Sequence, residues 1–165
     1  MQKNARPPAA VGYIYGLLPP IPALRSFPGV EPVKPHITLV RLRRPVRASV
    51  RYRRFVVVLG PAVLLPSESR PRYIALRAEP HGELAALRAL LVAALGNAVE
   101  ERHASFKPHM SLYAVRIKRP SREDLGPALD EASKYVGASF EVREVHLIDA
   151  AGGLYTPVYT IQLAD

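Results

Sequence analysis

One hexapeptide occurs twice in this chain. Lys34-Pro35-His36-Ile37-Thr38-Leu39 matches Lys107-Pro108-His109-Met110-Ser111-Leu112 at four of six positions, and the other two pairs are similar in kind. Each copy holds one of only five His. Each ends in a basic pair and a Pro, Arg43-Arg44-Pro45 and Lys118-Arg119-Pro120, and each is preceded by a Tyr-Ile strand signal, Tyr13-Ile14 and Tyr73-Ile74. A strand, a connector and a motif strand thus come twice in the same order. That order predicts two half-domains related by a pseudo-two-fold, with the motif strands beside its axis.

At 165 residues the chain is about one domain long. Apolar patterning predicts strands over 11–18, 36–42, 72–78, 107–117, 140–149 and 155–163. The stretch 55–65 is interrupted by Gly60 and Pro61 and reads as a strand, a turn and a short second strand. The Pro-rich segment 19–35 reads as a loop with one short helical turn at 23–27, and 43–54 as a basic connector. Residues 83–101 have helical length and set Leu84, Leu87, Leu91 and Leu95 on one face. Ser121 and Asp124 form a capping-box signal for a second helix with Leu125, Leu129, Ala132 and Val136 on one side and Gly137 as its stop. Pro127 would fall in its second turn, so this helix starts near Pro127 or has an irregular first turn. The fold class expected is α+β: two pseudo-two-fold related lobes of antiparallel sheet, helices packed outside, and a catalytic cleft between the lobes. One domain over 1–165 would comprise half-domains at about 1–54 plus the terminal strands, and about 55–165.

Composition narrows the chemistry. The absence of Cys excludes a disulfide scaffold, thiol catalysis and cysteine-held zinc or iron–sulfur sites. No apolar run approaches the roughly 20 residues of a membrane helix. Lys3 and Arg6 ahead of the apolar stretch 9–18 loosely imitate a signal peptide. Tyr13 and Tyr15 interrupt that stretch, however, and Pro19, Pro20 and Pro22 follow it with no small-x-small cleavage site, so the expectation is a first strand in a cytoplasmic protein. Residues 1–78 carry 14 Lys and Arg against 2 acids, a net +12; residues 79–165 carry 9 against 12, a net −3. Such asymmetry points to a polyanionic partner, most simply nucleic acid, or else to a solvated basic surface. The preference for Arg over Lys, 18 to 5, with no Trp and two each of Asn and Gln, suggests a thermophilic source.

Side chains alternate faces along a strand, so His36 and Thr38 share one face and Ile37 and Leu39 the other. His109 and Ser111 likewise lie opposite Met110 and Leu112. Two such strands side by side would make a cleft with two imidazoles and two hydroxyls. That set suits phosphodiester chemistry. One neutral His can take a proton from a nucleophile and one protonated His can give a proton to the leaving oxygen. The hydroxyls can donate to the non-bridging oxygens where charge builds. His-x-Thr spacing is not a metal-ligand pattern, and no metal or other cofactor is expected. A single such motif is more often a packed strand His than a catalytic one; two in matched apolar context reverse that preference. His81, His103 and His146 have no such partner and are expected to be surface or structural residues.

The paired motifs resemble those of the two-histidine phosphoesterase superfamily, which carries one H-x-[ST]-x tetrapeptide per lobe. Within it the chain is most similar to the RNA 2′,3′-cyclic phosphodiesterases, also called 2′-5′ RNA ligases. The strand order, the helix before the second motif and the late Tyr155-Thr156-Pro157-Val158-Tyr159 carry the resemblance as well. It implies that His36 is the proton donor, His109 the base that activates water, and Thr38 and Ser111 the phosphate-binding hydroxyls. Two departures stand out. The segment before the first motif has no room for the long helix of many relatives. Relatives also often place an Arg soon after the second motif, where this chain has Tyr113-Ala114-Val115-Arg116; Arg41 follows the first motif instead. Whether Arg41 or Arg116 meets the phosphate is left open.

The resemblance thus implies metal-free hydrolysis of 2′,3′-cyclic phosphates at RNA ends, tRNA ends among them, to 2′-phosphates; a monomer is expected. Two alternatives stand beside it: a 2′-5′ ligase joining tRNA halves with the same residues, and a non-catalytic RNA-binding module. The connector, with Tyr52 and Phe55, is a candidate to hold the RNA backbone and stack a base, or else a solubilising loop. Tyr15, Tyr113 and Tyr155 are candidate base platforms, each with buried packing as the competing role.

Overall fold

The computed structural model describes residues 12–100 and 105–165. Among these, eight strands form one sheet: β1 (Tyr13–Leu17), β2 (Val30–Leu42), β3 (Phe55–Leu65), β4 (Tyr73–Glu79), β5 (His109–Val115), β6 (Ser139–Val142), β7 (Glu144–Asp149) and β8 (Thr156–Gln162). Their order is β6-β3-β4-β5-β2-β1-β7-β8, and every neighbouring pair is antiparallel. The order mirrors itself about the β5–β2 seam. Outward from that seam, each half presents a motif strand, a Tyr-Ile strand, a third strand and an edge strand. The fold is therefore α+β with two pseudo-two-fold related halves, and the motif strands are neighbours at the axis.

The sheet is strongly curled, as its connections require. β6 is an edge strand and β7 lies one strand in from the opposite edge, yet only Arg143 separates them in the chain. In a flat sheet six strand spacings would hold them about 29 Å apart. One intervening residue spans roughly 7 Å. A bridge between Arg53 and Ala164, with the Arg54 N–H donating to the Ala164 carbonyl at 2.8 Å, ties the same two ends together.

Two helices, α1 (His81–Leu95) and α2 (Arg122–Ser133), pack on the apolar face, α1 over β2 and β4 and α2 over β2, β3 and β4. α1 buries the four predicted leucines, but it ends at Leu95 because Gly96 turns the chain at φ 56; Glu101 lies outside the described residues. α2 starts on a complete capping box: the Ser121 hydroxyl accepts from the Asp124 N–H at 3.0 Å, and the Asp124 carboxylate accepts from the Ser121 N–H at 2.8 Å. Pro127 is inside this helix. Its missing N–H would have met the carbonyl of exposed Glu123 in the first turn, where water can serve instead. Val136 falls beyond the helix and is exposed.

Four boundaries differ from expectation. Residues 23–27 are not helical, and β2 begins at Val30: Pro32 still opposes Tyr113, and a register shift between Pro32 and His36 takes Pro35 out of the ladder. β3 is one strand whose register shifts between Leu59 and Ala62, so Gly60 and Pro61 make a bulge rather than a turn. Residues 140–149 divide at Arg143. β1 starts at Tyr13, and Val11, Lys3 and Arg6 lie outside the described residues. Among the described residues no helix is long and apolar enough to cross a membrane.

Residues 43–54 pack on the core through their apolar side chains, while Arg43, Arg44, Arg47, Arg51 and Arg53 are exposed. Ala48 is buried in the core, and Val46, Val50 and Tyr52 pack against it. Tyr15, fully buried, donates its hydroxyl to the Val46 carbonyl at 2.7 Å and accepts from the Ala48 N–H at 2.8 Å. The Tyr159 hydroxyl reaches the Ala48 carbonyl at 3.3 Å. The connector thus closes the core beside β1, where no helix lies between β1 and β2. Tyr15 and Phe55 are therefore core residues and cannot stack on a base. Tyr15→Phe should leave the Val46 carbonyl and the Ala48 N–H without their partner. The expected loss is about 1–3 kcal/mol of unfolding free energy by urea denaturation, with the fold retained.

Candidate active site

Directly opposed residues on neighbouring strands share a face. Across the seam His36 opposes Ser111, and Ile37 opposes Met110. On the other side of β5, Ala75 opposes Ser111 and Arg77 opposes His109. Both His, both hydroxyls and Arg77 therefore emerge from one face, while Ile37, Leu39, Met110 and Leu112 are buried in the core on the other. Gly16 sits opposite Thr38, and a Cβ there would come 2.6 Å from the Ile37 carbonyl oxygen. Only glycine lets β1 lie this close to the motif strand.

The repeated Lys-Pro-His has a geometric purpose. Pro holds the preceding Lys extended, and the Lys carbonyl then reaches the ring of the His two residues on. His36 Nδ1 lies 2.7 Å from the Lys34 oxygen and His109 Nδ1 2.9 Å from the Lys107 oxygen. A carbonyl only accepts, so both Nδ1 atoms carry hydrogen. Nε2 of each neutral ring is left as the basic atom. The Tyr155 ring stacks on His36, with centroids 3.9 Å apart and planes at 23°. Tyr155 has a left-handed backbone, φ 51, and Lys34 Nζ donates to its carbonyl at 3.1 Å. His36, Thr38, Arg41, Arg77, His109 and Ser111 line a cavity of about 630 Å³, with Tyr155 on its wall.

The family model described as the 2′-5′ RNA ligase superfamily matches residues 17–154. The chain belongs to this superfamily. Its fold is shared with TT0787 of Thermus thermophilus, 20% identical, with a TM-score of 0.62 over 91% of this chain and 96% of that one. It is shared also with E. coli LigT, solved in complex with 3′-AMP, 20% identical, with a TM-score of 0.60 over 94% and 99% of the two chains. A structure described as a phosphoesterase aligns with a TM-score of 0.61 at 20% identity, over 94% and 99%. No curated protein sequence matches the chain.

Of the residues singled out from the sequence, this member of the 2′-5′ RNA ligase superfamily brings His36, His109, Thr38, Ser111, Arg41 and Tyr155 together. It does not bring Tyr113 or Arg116. A register shift between Ile74 and Ala75 puts Tyr113 out of phase with Ser111. Tyr113 is fully buried in the core, its hydroxyl donating to the Arg25 carbonyl at 2.7 Å. Arg116 lies past the end of β5 opposite to His109 and faces Glu31 at 3.6 Å. Three of the connector's arginines have partners outside the cleft: Arg43 on the Glu100 carbonyl, Arg44 on Asn97, and Arg47 over the Tyr159 ring. His146 is half-buried, its Nδ1 2.9 Å from the Thr160 hydroxyl, and His81 is exposed against the Phe106 carbonyl; His103 lies outside the described residues. Sequence reasoning missed Arg77 and Lys34. Arg77 had one signal, its place two residues beyond Ala75 on the Tyr-Ile strand, but only the pairing of β4 with β5 gives that place meaning.

Both imidazoles are held neutral. Burial pushes His36 down from 6.5 to about 4, the Lys34 carbonyl opposes this, and the nearby His109 and Arg41 add to the lowering. Burial also lowers His109, against the Lys107 carbonyl and with Arg41. Tyr155 is raised, by burial first and then by Tyr73, with Arg41 opposing. Between pH 6.5 and about 4 the unfolded chain binds a proton that folded His36 refuses. Stability should therefore be full above this window and fall as pH drops through it, by roughly 3 kcal/mol over the whole span. In urea melts at pH 7 and pH 4, His36→Gln should lose less stability on acidification than the wild type. Equal acid losses would contradict the buried, neutral imidazole.

Proposed function

We propose that the protein opens 2′,3′-cyclic phosphates at RNA ends and leaves a 2′-phosphate. One observation carries this reading. His36 and Ser111 oppose each other across the central pair of strands, each imidazole's Nδ1 is held by its own motif's carbonyl, and both basic Nε2 atoms are left for the cleft. His109 Nε2 takes a proton from water as the water oxygen attacks phosphorus. The P–O3′ bond breaks, and protonated His36 gives its proton to O3′. Thr38 and Ser111 donate to the non-bridging oxygens, and Arg41 and Arg77 offset their charge. The acid is not pre-charged in the free protein. An anionic phosphate between the rings favours the imidazolium, so the proton is taken up with the substrate. Membership of the 2′-5′ RNA ligase superfamily and the 3′-AMP complex of E. coli LigT support a ribonucleotide phosphate as ligand. The family's description also favours a second reading, in which an RNA 5′-hydroxyl takes the place of water and the same two His join the strands by a 2′-5′ bond.

On a 2′,3′-cyclic mononucleotide, His36→Ala and His109→Ala should each lose at least about 10²-fold in turnover with unchanged circular dichroism. Thr38→Ala and Ser111→Ala should lose less. On a catechol cyclic phosphate, whose leaving oxygen needs little protonation, His36→Ala should recover and His109→Ala should stay slow. Recovery by His109→Ala instead would reverse the acid and base roles, and full activity of either variant would remove that His from the chemistry.

The pH dependence gives a separate check. Both free imidazoles titrate below their ordinary range, so kcat/KM should peak below pH 6.5, whereas kcat, which reports the substrate complex, should peak higher. A single shared optimum above pH 7 would contradict proton uptake with the substrate.

A further inference from the structure

A second groove, of about 710 Å³, adjoins the catalytic cavity between β4, the first turns of α1 and residues 105–108 ahead of β5. Arg77, Arg88, Phe106 and Lys107 border both spaces, so the groove continues the cleft on its His109 side. His81, Ala85 and Ala89 form its outer wall, one stripe of α1 at four-residue spacing, and the small alanines keep the space open. Three basic side chains, Arg77, Arg88 and Lys107, line the groove against one carboxylate, that of Glu79. Among the described residues, no carboxylate pairs with Arg77, Arg88 or Lys107. The Arg88 guanidinium lies over the Phe106 ring, 5.3 Å from its centroid. Unpaired cations around an aromatic ring suit a nucleic-acid strand, with phosphates against the cations and a base against the ring. The catalytic cavity holds on the order of one nucleotide; the groove has room for the next.

We infer that this groove is a second subsite, which takes a ribonucleotide phosphodiester next to the reacting cyclic phosphate. The inference rests on the proposed function and makes the preferred substrate an oligonucleotide rather than a mononucleotide. The phosphodiester has two possible sources: the substrate strand's own upstream nucleotides, or a second strand bearing a 5′-hydroxyl.

Ala85→Glu and Ala89→Glu test it, because each adds a carboxylate to the groove wall and neither residue lines the catalytic cavity. Wild type should turn over a pentanucleotide with a 2′,3′-cyclic end at least about tenfold better in kcat/KM than the cyclic mononucleotide. Each Glu variant should lose most of that advantage and keep mononucleotide turnover, and Ala89→Gln should behave as wild type. Retention of the full advantage by both Glu variants, or no advantage in wild type, overturns the subsite. A 5′-hydroxyl pentanucleotide without a cyclic end identifies the source. If it inhibits mononucleotide hydrolysis and Ala89→Glu relieves the inhibition, the groove takes a second strand. If the advantage is present without such inhibition, it takes the substrate's own strand. Absence of turnover on every cyclic phosphate would defeat the proposed function instead. The groove is then read by fluorescence anisotropy of a labelled pentanucleotide 2′-phosphate. Weaker binding by both Glu variants, and a salt slope flattened by about 0.7 in Arg88→Gln, support it; equal binding by all variants overturns it.

Discussion

Everything functional in this molecule depends on the antiparallel pairing of β2 with β5. The register that sets His36 against Ser111 also sets Ile37 against Met110, so one hydrogen-bonded ladder orders the active face and the core together. Slipping either strand by one residue would turn its His and hydroxyl inward and expose the apolar pair. Ile37, Leu39, Met110 and Leu112 are all essentially fully buried, and burying each such side chain is worth about 1.5–3 kcal/mol. That burial is what holds the register. The pseudo-two-fold adds a second consequence: His36 faces the hydroxyl of the opposite motif, Ser111, so the cleft is lined from both halves.

The cleft shows how burial and charge are balanced around a site for an anion. His36 is almost completely covered, in part by the stacked Tyr155 ring, and loses proton affinity as a result. Arg41 and Arg77 line the same cavity, and Arg41 adds to the lowering of both rings. The neutral rings beside Arg41 are what an anion-free cleft requires. A negative charge placed between them would favour the imidazolium instead. Lys34 links the two sides of this balance. Its carbonyl fixes the His36 tautomer and its ammonium holds the carbonyl of Tyr155.

Net charge along the chain is a poor guide to which cations line the cleft. Much of the positive charge of the first half sits on residues 43–54, away from the cleft, on a segment whose apolar side chains pack. Arg43, Arg44, Arg47 and Arg53 bond to a carbonyl, an amide, a tyrosine ring and Glu83. The segment closes the core that lacks a helix between β1 and β2, with Tyr15 as its anchor. The cations at the cleft and its neighbouring groove come from four separate places: the end of β2, the middle of β4, α1 and the approach to β5.

Much of this was legible in the chain because its signals are local. The duplicated Lys-Pro-His-x-[ST]-Leu, the two-residue alternation that divides His and hydroxyl from the apolar pair, the leucine stripe of α1 and the Ser121–Asp124 box each act over a few residues, and each is realised. Local signals also placed the two His and two hydroxyls in one cleft, since repeated context implied paired strands. Tyr113 and Arg116 were misplaced because a bulge opposite Ile74 and Ala75 breaks the alternation after Ser111, and a bulge is fixed by the partner strand. The role of residues 43–54 depended on which core face lacked a helix, and that of Arg77 on β4 lying beside β5. Residues 140–149 divide between distant strands because the sheet curls. Sequence alone could therefore determine what each segment prefers and which groups share a face. Tertiary structure alone decided which strand lies beside which, since that outcome minimises exposed apolar area over the whole sheet rather than within any one segment.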